Sequence, residues 1–210
     1  LPERAAVSLA TVIAYVDLVA VGVFATSGAL AAAERRLDVL AFILFGTITG
    51  VGGGTLRDLL LQVPVFWISD TRYLWVCILL ASLTWYLAPL LRARLRVLLW
   101  ADAVGLALFS VLGAAKALQL GAPAVVAVVM GVMSASFGGL IRDTLLGRDS
   151  VLLGPELYVT AALAGAVSYT ALLAVPAVEP SAALLIALVP ALALRAGALM
   201  SGWRLPLYRR

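Results

Sequence analysis

Gly50-Val51-Gly52-Gly53-Gly54-Thr55-Leu56-Arg57-Asp58 lies inside an apolar block spanning roughly 39–61, and Gly138-Gly139-Leu140-Ile141-Arg142-Asp143 closes a second block spanning roughly 123–146. The two Arg-Asp doublets stand 85 residues apart. The same offset joins Asp17 to Asp102, Phe24 to Phe109, Gly28 to Gly113, Gly53-Gly54 to Gly138-Gly139 and Tyr73 to Tyr158. Alanine and leucine repeat by chance in so biased a chain. An ungapped register that preserves charged and aromatic residues reads instead as an internal duplication.

The blocks around these runs place the duplication in a membrane. The 210 residues are 64% hydrophobic and 12% charged, with a mean hydropathy of +1.10. A soluble domain carries roughly 25% charge, so this chain has too little polar surface to cover itself in water. Seven apolar blocks are drawn at 9–31, 39–61, 72–90, 98–118, 123–146, 156–176 and 181–201. Each approaches the ~20 residues that cross a bilayer as a helix. Pro123 and Pro180 suit first helical turns, where the missing N–H costs nothing. Leu1 to Arg4, with a Pro and one charge of each sign, do not read as a signal peptide.

With seven spans the termini lie on opposite faces. The N-terminal face collects Arg4, Arg57, Arg72 and Lys116; the other collects Arg35, Arg36, Arg92, Arg94, Arg96, Arg142, Arg148, Arg195, Arg204, Arg209 and Arg210. The positive-inside rule then predicts an outer N-terminus and a cytoplasmic C-terminus. Trp67, Trp75, Trp85, Trp100 and Trp203 fall near block ends, where interfacial anchors belong. Three spans per unit, an odd number, turn the second copy upside down. The expected fold is all-α and polytopic: a single transmembrane domain over 1–210, with one three-helix repeat at 9–90, an inverted one at 98–176 and a seventh helix at 181–201. Inverted repeats commonly place a solute route at their pseudo-two-fold axis.

Two readings of the glycine runs stand side by side. Each glycine weakens a helix by about 1 kcal/mol relative to Ala, which predicts interrupted second and fifth spans. Their freed backbone would line a path at Gly50, Gly52, Gly53, Gly54, Ser134, Ser136, Phe137, Gly138 and Gly139. Alternatively, the small residues allow close helix packing. Arg57-Asp58 and Arg142-Asp143 form a charged network with Asp17, Asp102 and Lys116. Neighbours on a helix diverge, so each charge is expected to meet a partner from another span. Lys116, the chain's lone lysine, stands where the first repeat has Ala31 and breaks the symmetry; it either sets a positive potential at the outer mouth or reaches up to the interface.

Several chemistries are excluded. The chain has no His and only Cys77, so no metal or haem centre and no usual proton shuttle is expected. No Ser-His-Asp set, HExxH or P-loop occurs, and no enzymatic activity or cofactor is expected. The net charge of +4 collects at block ends rather than in a nucleic-acid-binding patch.

Gly52-Gly53-Gly54-Thr55-Leu56-Arg57-Asp58 and Gly138-Gly139-Leu140-Ile141-Arg142-Asp143, in two three-span units with a seventh helix, resemble prokaryotic members of the trimeric intracellular cation (TRIC) channels over roughly residues 9–201. The same bacterial sequences are also catalogued under a domain name implying glycine transport. The resemblance implies a homotrimer in a prokaryotic inner or plasma membrane, with membrane lipids, including bound lipid, as partners. It implies a hydrated route for monovalent cations inside each protomer, chiefly potassium with sodium also passing, flanked by kinked second and fifth helices. Phe137 replaces the first glycine of the triple run, and is either a bulky gate or a lipid-facing residue. An alternating-access carrier of a small solute such as glycine fits the inverted repeats as well, and a non-conducting scaffold would leave Asp17 and Asp102 fully paired.

Overall fold

The computed structural model describes residues 9–90, 94–150, 154 and 156–206. Arg4, Arg92, Arg209 and Arg210 of the charge-bias argument lie outside the described residues, as does the segment Leu1 to Arg4. The helices are α1 (Leu9–Glu34), α2 (Val39–Leu60), a single turn α3 (Phe66–Ser69), α4 (Arg72–Leu87, extended by a tighter turn to Leu90), α5 (Arg94–Gln119), α6 (Ala124–Leu145), α7 (Val159–Leu173) and α8 (Pro180–Ser201).

Local chemistry sets the ends. The Asp38 carboxylate accepts the Ala41 N–H at 2.8 Å and starts α2. Glu179 accepts from Ala182 N–H and Pro180 fills the first position of α8, while Gly202 ends it in the left-handed region at φ 66°. Among the described residues, six helices are long and apolar enough to cross a bilayer: α1, α2, α4 with its extension, α5, α6 and α8. The apolar α7 has 15 residues, about 22 Å at 1.5 Å per residue. The 156–176 block overestimates it because Tyr158 turns in at one end and Pro176 forbids continuation at the other.

The helices pack as two similar bundles. In the first, α1 packs on α2 and α4; in the second, α5 packs on α6 and α7. Gly46 lies against the Ala25 carbonyl and the Ala81 methyl, and Gly131 lies against the Ser110 carbonyl and the Ala166 methyl, an offset of 85 at every position. The bundles join through α1 on α5 and α2 on α6. α8 packs on α5 and α7 and has no counterpart on the first bundle.

The α2–α6 seam displays the inversion. A Cβ on Gly53 would stand 2.0 Å from the Ser134 carbonyl oxygen; one on Gly138 would stand 2.4 Å from the Thr49 carbonyl oxygen. These two contacts are the same contact with the copies exchanged, which requires antiparallel helices related by a two-fold axis between them. Phe24 and Phe109, each the other's equivalent, stack across the α1–α5 seam with centroids 5.1 Å apart.

The expected interruption of the second and fifth spans is not there. α2 is helical throughout Val39–Leu60 and α6 throughout Ala124–Leu145, glycine runs included. Among lipid tails apolar burial gives helices little reason to associate, and contact at backbone distance replaces it. The glycines lose helix propensity and gain that contact, and each helix holds because its neighbours enforce it.

Candidate functional site

The direction of successive helices puts two charge clusters at opposite ends of the bundle, with the glycine seam between them.

The first cluster uses the end of α2. Arg57 Nε donates to Asp58 Oδ1 at 2.8 Å, so the adjacent doublet does pair with itself. This corrects the expectation from diverging Cβ atoms: the guanidinium sits on a stem long enough to curl back along the helix. Asp58 is fully buried and also accepts the Phe66 N–H at 3.0 Å, which anchors α3. Lys116 of α5 reaches Asp58 Oδ1 at 2.8 Å and Oδ2 at 2.9 Å. Its ammonium is therefore an ion-pair partner across 58 residues of chain, not a side chain extended to the interface. Arg57 and Lys116 approach the Phe66 ring at 5.8 and 5.9 Å, and Phe66 meets Tyr73 edge-on at 4.7 Å. Asp17 is half-buried, faces the Tyr73 hydroxyl and feels the charges of Arg57 and Lys116. A cavity of about 320 Å³ beside it is lined by Thr11, Tyr15, Leu18, Asp70, Arg72 and Tyr73. At its rim Arg72 grips Asp70 and holds that carboxyl below the usual aspartate range.

The second cluster repeats the plan with different partners. Arg142 donates to Asp143 through Nε at 2.8 Å and Nη2 at 3.1 Å. Its Nη1 donates to Asp102 at 3.0 Å and to the Ser27 hydroxyl at 2.6 Å. Here the charges also meet across spans, Arg142 with Asp102 across 40 residues, and the Ser27 hydroxyl joins them across 115. Gly139 leaves the room: a Cβ there would lie 3.2 Å from the Tyr158 hydroxyl and 3.5 Å from Asp102 Oδ1. Tyr158 stands to Asp102 as Tyr73 stands to Asp17. Arg195 of α8, fully buried, lies 5.0 Å from the Tyr158 ring centroid and pairs with Glu156 at 2.7 Å.

The remaining candidates lie along the seam. Gly50, Gly53, Gly54, Gly138, Gly139, Ser134 and Ser136 are buried, while Gly52 and Phe137 are half-buried. Ser136 donates to the Val132 carbonyl at 2.8 Å; the Ser134 hydroxyl has no hydrogen-bond partner among the described residues. Trp67, half-buried, donates to the Thr55 hydroxyl at 2.8 Å and packs against the core. Sequence reasoning gave no role to Tyr73 and Tyr158, although their offset was visible. It entered Arg195 in the charge count as either a loop or an intramembrane residue and gave it no role in a site; a lone ionisable residue inside an apolar span was the signal for one.

The family model described as "Glycine transporter" matches the chain twice, at 14–89 and 99–174, again 85 residues apart. The chain is 38% identical over 197 residues to a UPF0126 membrane protein of Vibrio cholerae, covering 91% of this chain and 80% of that one. It is 35% identical over 199 residues to the UPF0126 inner membrane protein YadS of Escherichia coli (strain K12), covering 92% and 95%. Among solved structures, the TRIC trimeric intracellular cation channel orthologue from Rhodobacter sphaeroides matches with a TM-score of 0.89 and 44% identity, over 92% of this chain and 100% of that one. A structure described as explaining conductance through TRIC cation channels matches with a TM-score of 0.82 and 29% identity, over 94% and 97%. This multi-pass membrane protein belongs to the prokaryotic TRIC family, the same family whose sequence model bears the glycine-transporter description.

Proposed function

We propose that the protein is a homotrimeric channel for monovalent cations, chiefly potassium, in a prokaryotic inner or plasma membrane. Each protomer carries its own hydrated pathway, and the N-terminus lies outside. The observation that carries this reading is the full-length likeness to the Rhodobacter sphaeroides TRIC orthologue, at 44% identity and a TM-score of 0.89. The internal geometry supports it. Acidic side chains stand at both ends of one protomer, Asp17 and Asp58 at one, Asp102 and Asp143 at the other. Between them the α2–α6 seam is closed by backbone contact at Gly53 and Gly138. A small slide of two helices that touch through glycine changes that seam without repacking large side chains. Sparse hydroxyls and ion-paired carboxylates suit a route that passes ions rather than retaining them.

The test is reconstitution of the purified trimer in planar bilayers under a potassium–sodium gradient. Discrete single-channel currents reversing toward the potassium potential are expected. Silence in that assay, with saturable glycine uptake into proteoliposomes, would instead establish the carrier reading. That second reading is favoured by the description of the family model and by the inverted repeats.

A further inference from the structure

The two clusters are copies, yet their charges do not balance alike. In the first, Asp17 and Asp58 face Arg57 and Lys116, two carboxylates with two cations. In the second, Arg142 alone serves both Asp102 and Asp143. Asp102 is 1% exposed, and its Oδ2 has no hydrogen-bond partner among the described residues. A buried carboxylate oxygen without a donor is costly, and it is the group a cation would seek.

A second guanidinium stands on the other side of Tyr158. Arg195 is fully buried and stacked on the Tyr158 ring, whose hydroxyl faces Asp102. Among the described residues only its Nη1 is engaged, with Glu156, and Nε and Nη2 have no hydrogen-bond partner. Glu156 is itself 38% exposed, so the contact is weakened by solvent. Arg195 arrives on α8, the element that the repeat does not contain. Pro190 removes one ladder N–H of α8 little more than a turn before it, which lowers the cost of shifting that segment.

We propose that Asp102, with Tyr158, is a monovalent-cation site at the second end of the protomer, and that Arg195 is a built-in cation competing for it. The first end, with Asp17 and Tyr73 beside an open cavity, has no such competitor from α8. The inference rests on the channel reading for its consequence in current, but not for its consequence in binding. Removing the guanidinium while keeping its bulk leaves Asp102, Asp143 and Glu156 against Arg142 alone, and a potassium ion then binds in place of Arg195.

Arg195→Met and Arg195→Gln are compared with the unaltered trimer in two assays. The first is thermal unfolding in potassium chloride against N-methylglucamine chloride at equal ionic strength. Both variants should gain a potassium-specific rise in Tm that the parent lacks, and Asp102→Asn placed on either variant should abolish it. The second is bilayer recording, where the variants should conduct at least about two-fold more at potentials that draw cations through the second end. A variant that assembles and shows no potassium-specific gain overturns the proposal, whatever the currents do. If the parent and the variants are all silent in the bilayer while the potassium-specific gain is present, the site stands and the channel reading fails. The Met and Gln forms are run together because a fold that rejects the apolar replacement can still hold an amide against Glu156.

Discussion

At the scale of the residue, neighbouring glycines have different duties. A methyl on Gly52 would meet Ile141 Cδ1 at 3.4 Å and the Gly138 Cα at 3.6 Å, ordinary contacts; a methyl on Gly53 would meet a carbonyl oxygen at 2.0 Å. Gly52→Ala should therefore assemble normally, while Gly53→Ala should lose about 1–3 kcal/mol or more from overpacking. The yield of assembled protein and Tm in detergent report both, and equal tolerance of the two changes would refute the seam. Asp58 offers a second case. Asp58→Asn strips a fully buried acceptor from Arg57 and Lys116 and should cost about 3–5 kcal/mol. Adding Lys116→Met should return part of that, with a coupling of about 0.5–3 kcal/mol in a double-mutant cycle. Additive losses would mean the ammonium contributes nothing. The residue types at these sites were legible in the sequence, but their geometry was not. Glycine is the same letter whether it breaks a helix or lets two helices touch. The Arg57-Asp58 pair escaped a rule about Cβ directions because its hydrogen bond is made at Nε, three atoms beyond Cβ.

At the scale of the element, helix ends carry the acid sensitivity accessible to solvent. Glu179 caps α8 through Ala182 N–H and a short contact from the Ser181 hydroxyl, which lowers its pKa from the ordinary glutamate value. A lowered folded-state value means the cap contributes fully above the ordinary glutamate range and is lost as the pH falls through the folded value. Amide protection at Ser181 to Ala183, measured against the intrinsic exchange rate at each pH, should fall on acidification through that window, and Glu179→Gln should flatten the dependence. An unchanged profile in the variant would remove Glu179 from the account. Helix existence was readable throughout, since hydrophobic length decides it, and most boundaries moved by only a few residues. α7 was overdrawn because composition does not record where Tyr158 turns inward to meet Asp102, a long-range event. α3 was not foreseen: four residues carry no periodicity, and the turn exists because Asp58 accepts the Phe66 N–H.

At the scale of the molecule, the duplication was the most legible feature, because an offset of 85 is independent of how either half packs. The seam contacts between Gly53 and Ser134 and between Gly138 and Thr49 then follow from inversion as one contact written twice. Orientation is tested at Gln119, exposed at the end of α5, and Asp149, exposed beyond α6. In a Cys77→Ala background, Gln119→Cys should react with an impermeant thiol reagent in whole cells and Asp149→Cys only after lysis. The reverse pattern would invert the proposed topology. The charge asymmetry was the least legible feature, because it depends on α8, whose apolar sequence says nothing about which half it will lean on.

That lean has a consequence for descent. Two identical three-helix chains inserted in opposite senses would have to change both ends of their shared channel with every mutation, since each position serves twice. A single chain that carries both copies is free of that bond, and α8, packed on the α5–α7 half, sets the two ends apart. Each mouth can then be tuned by itself, and the molecule has a front and a back.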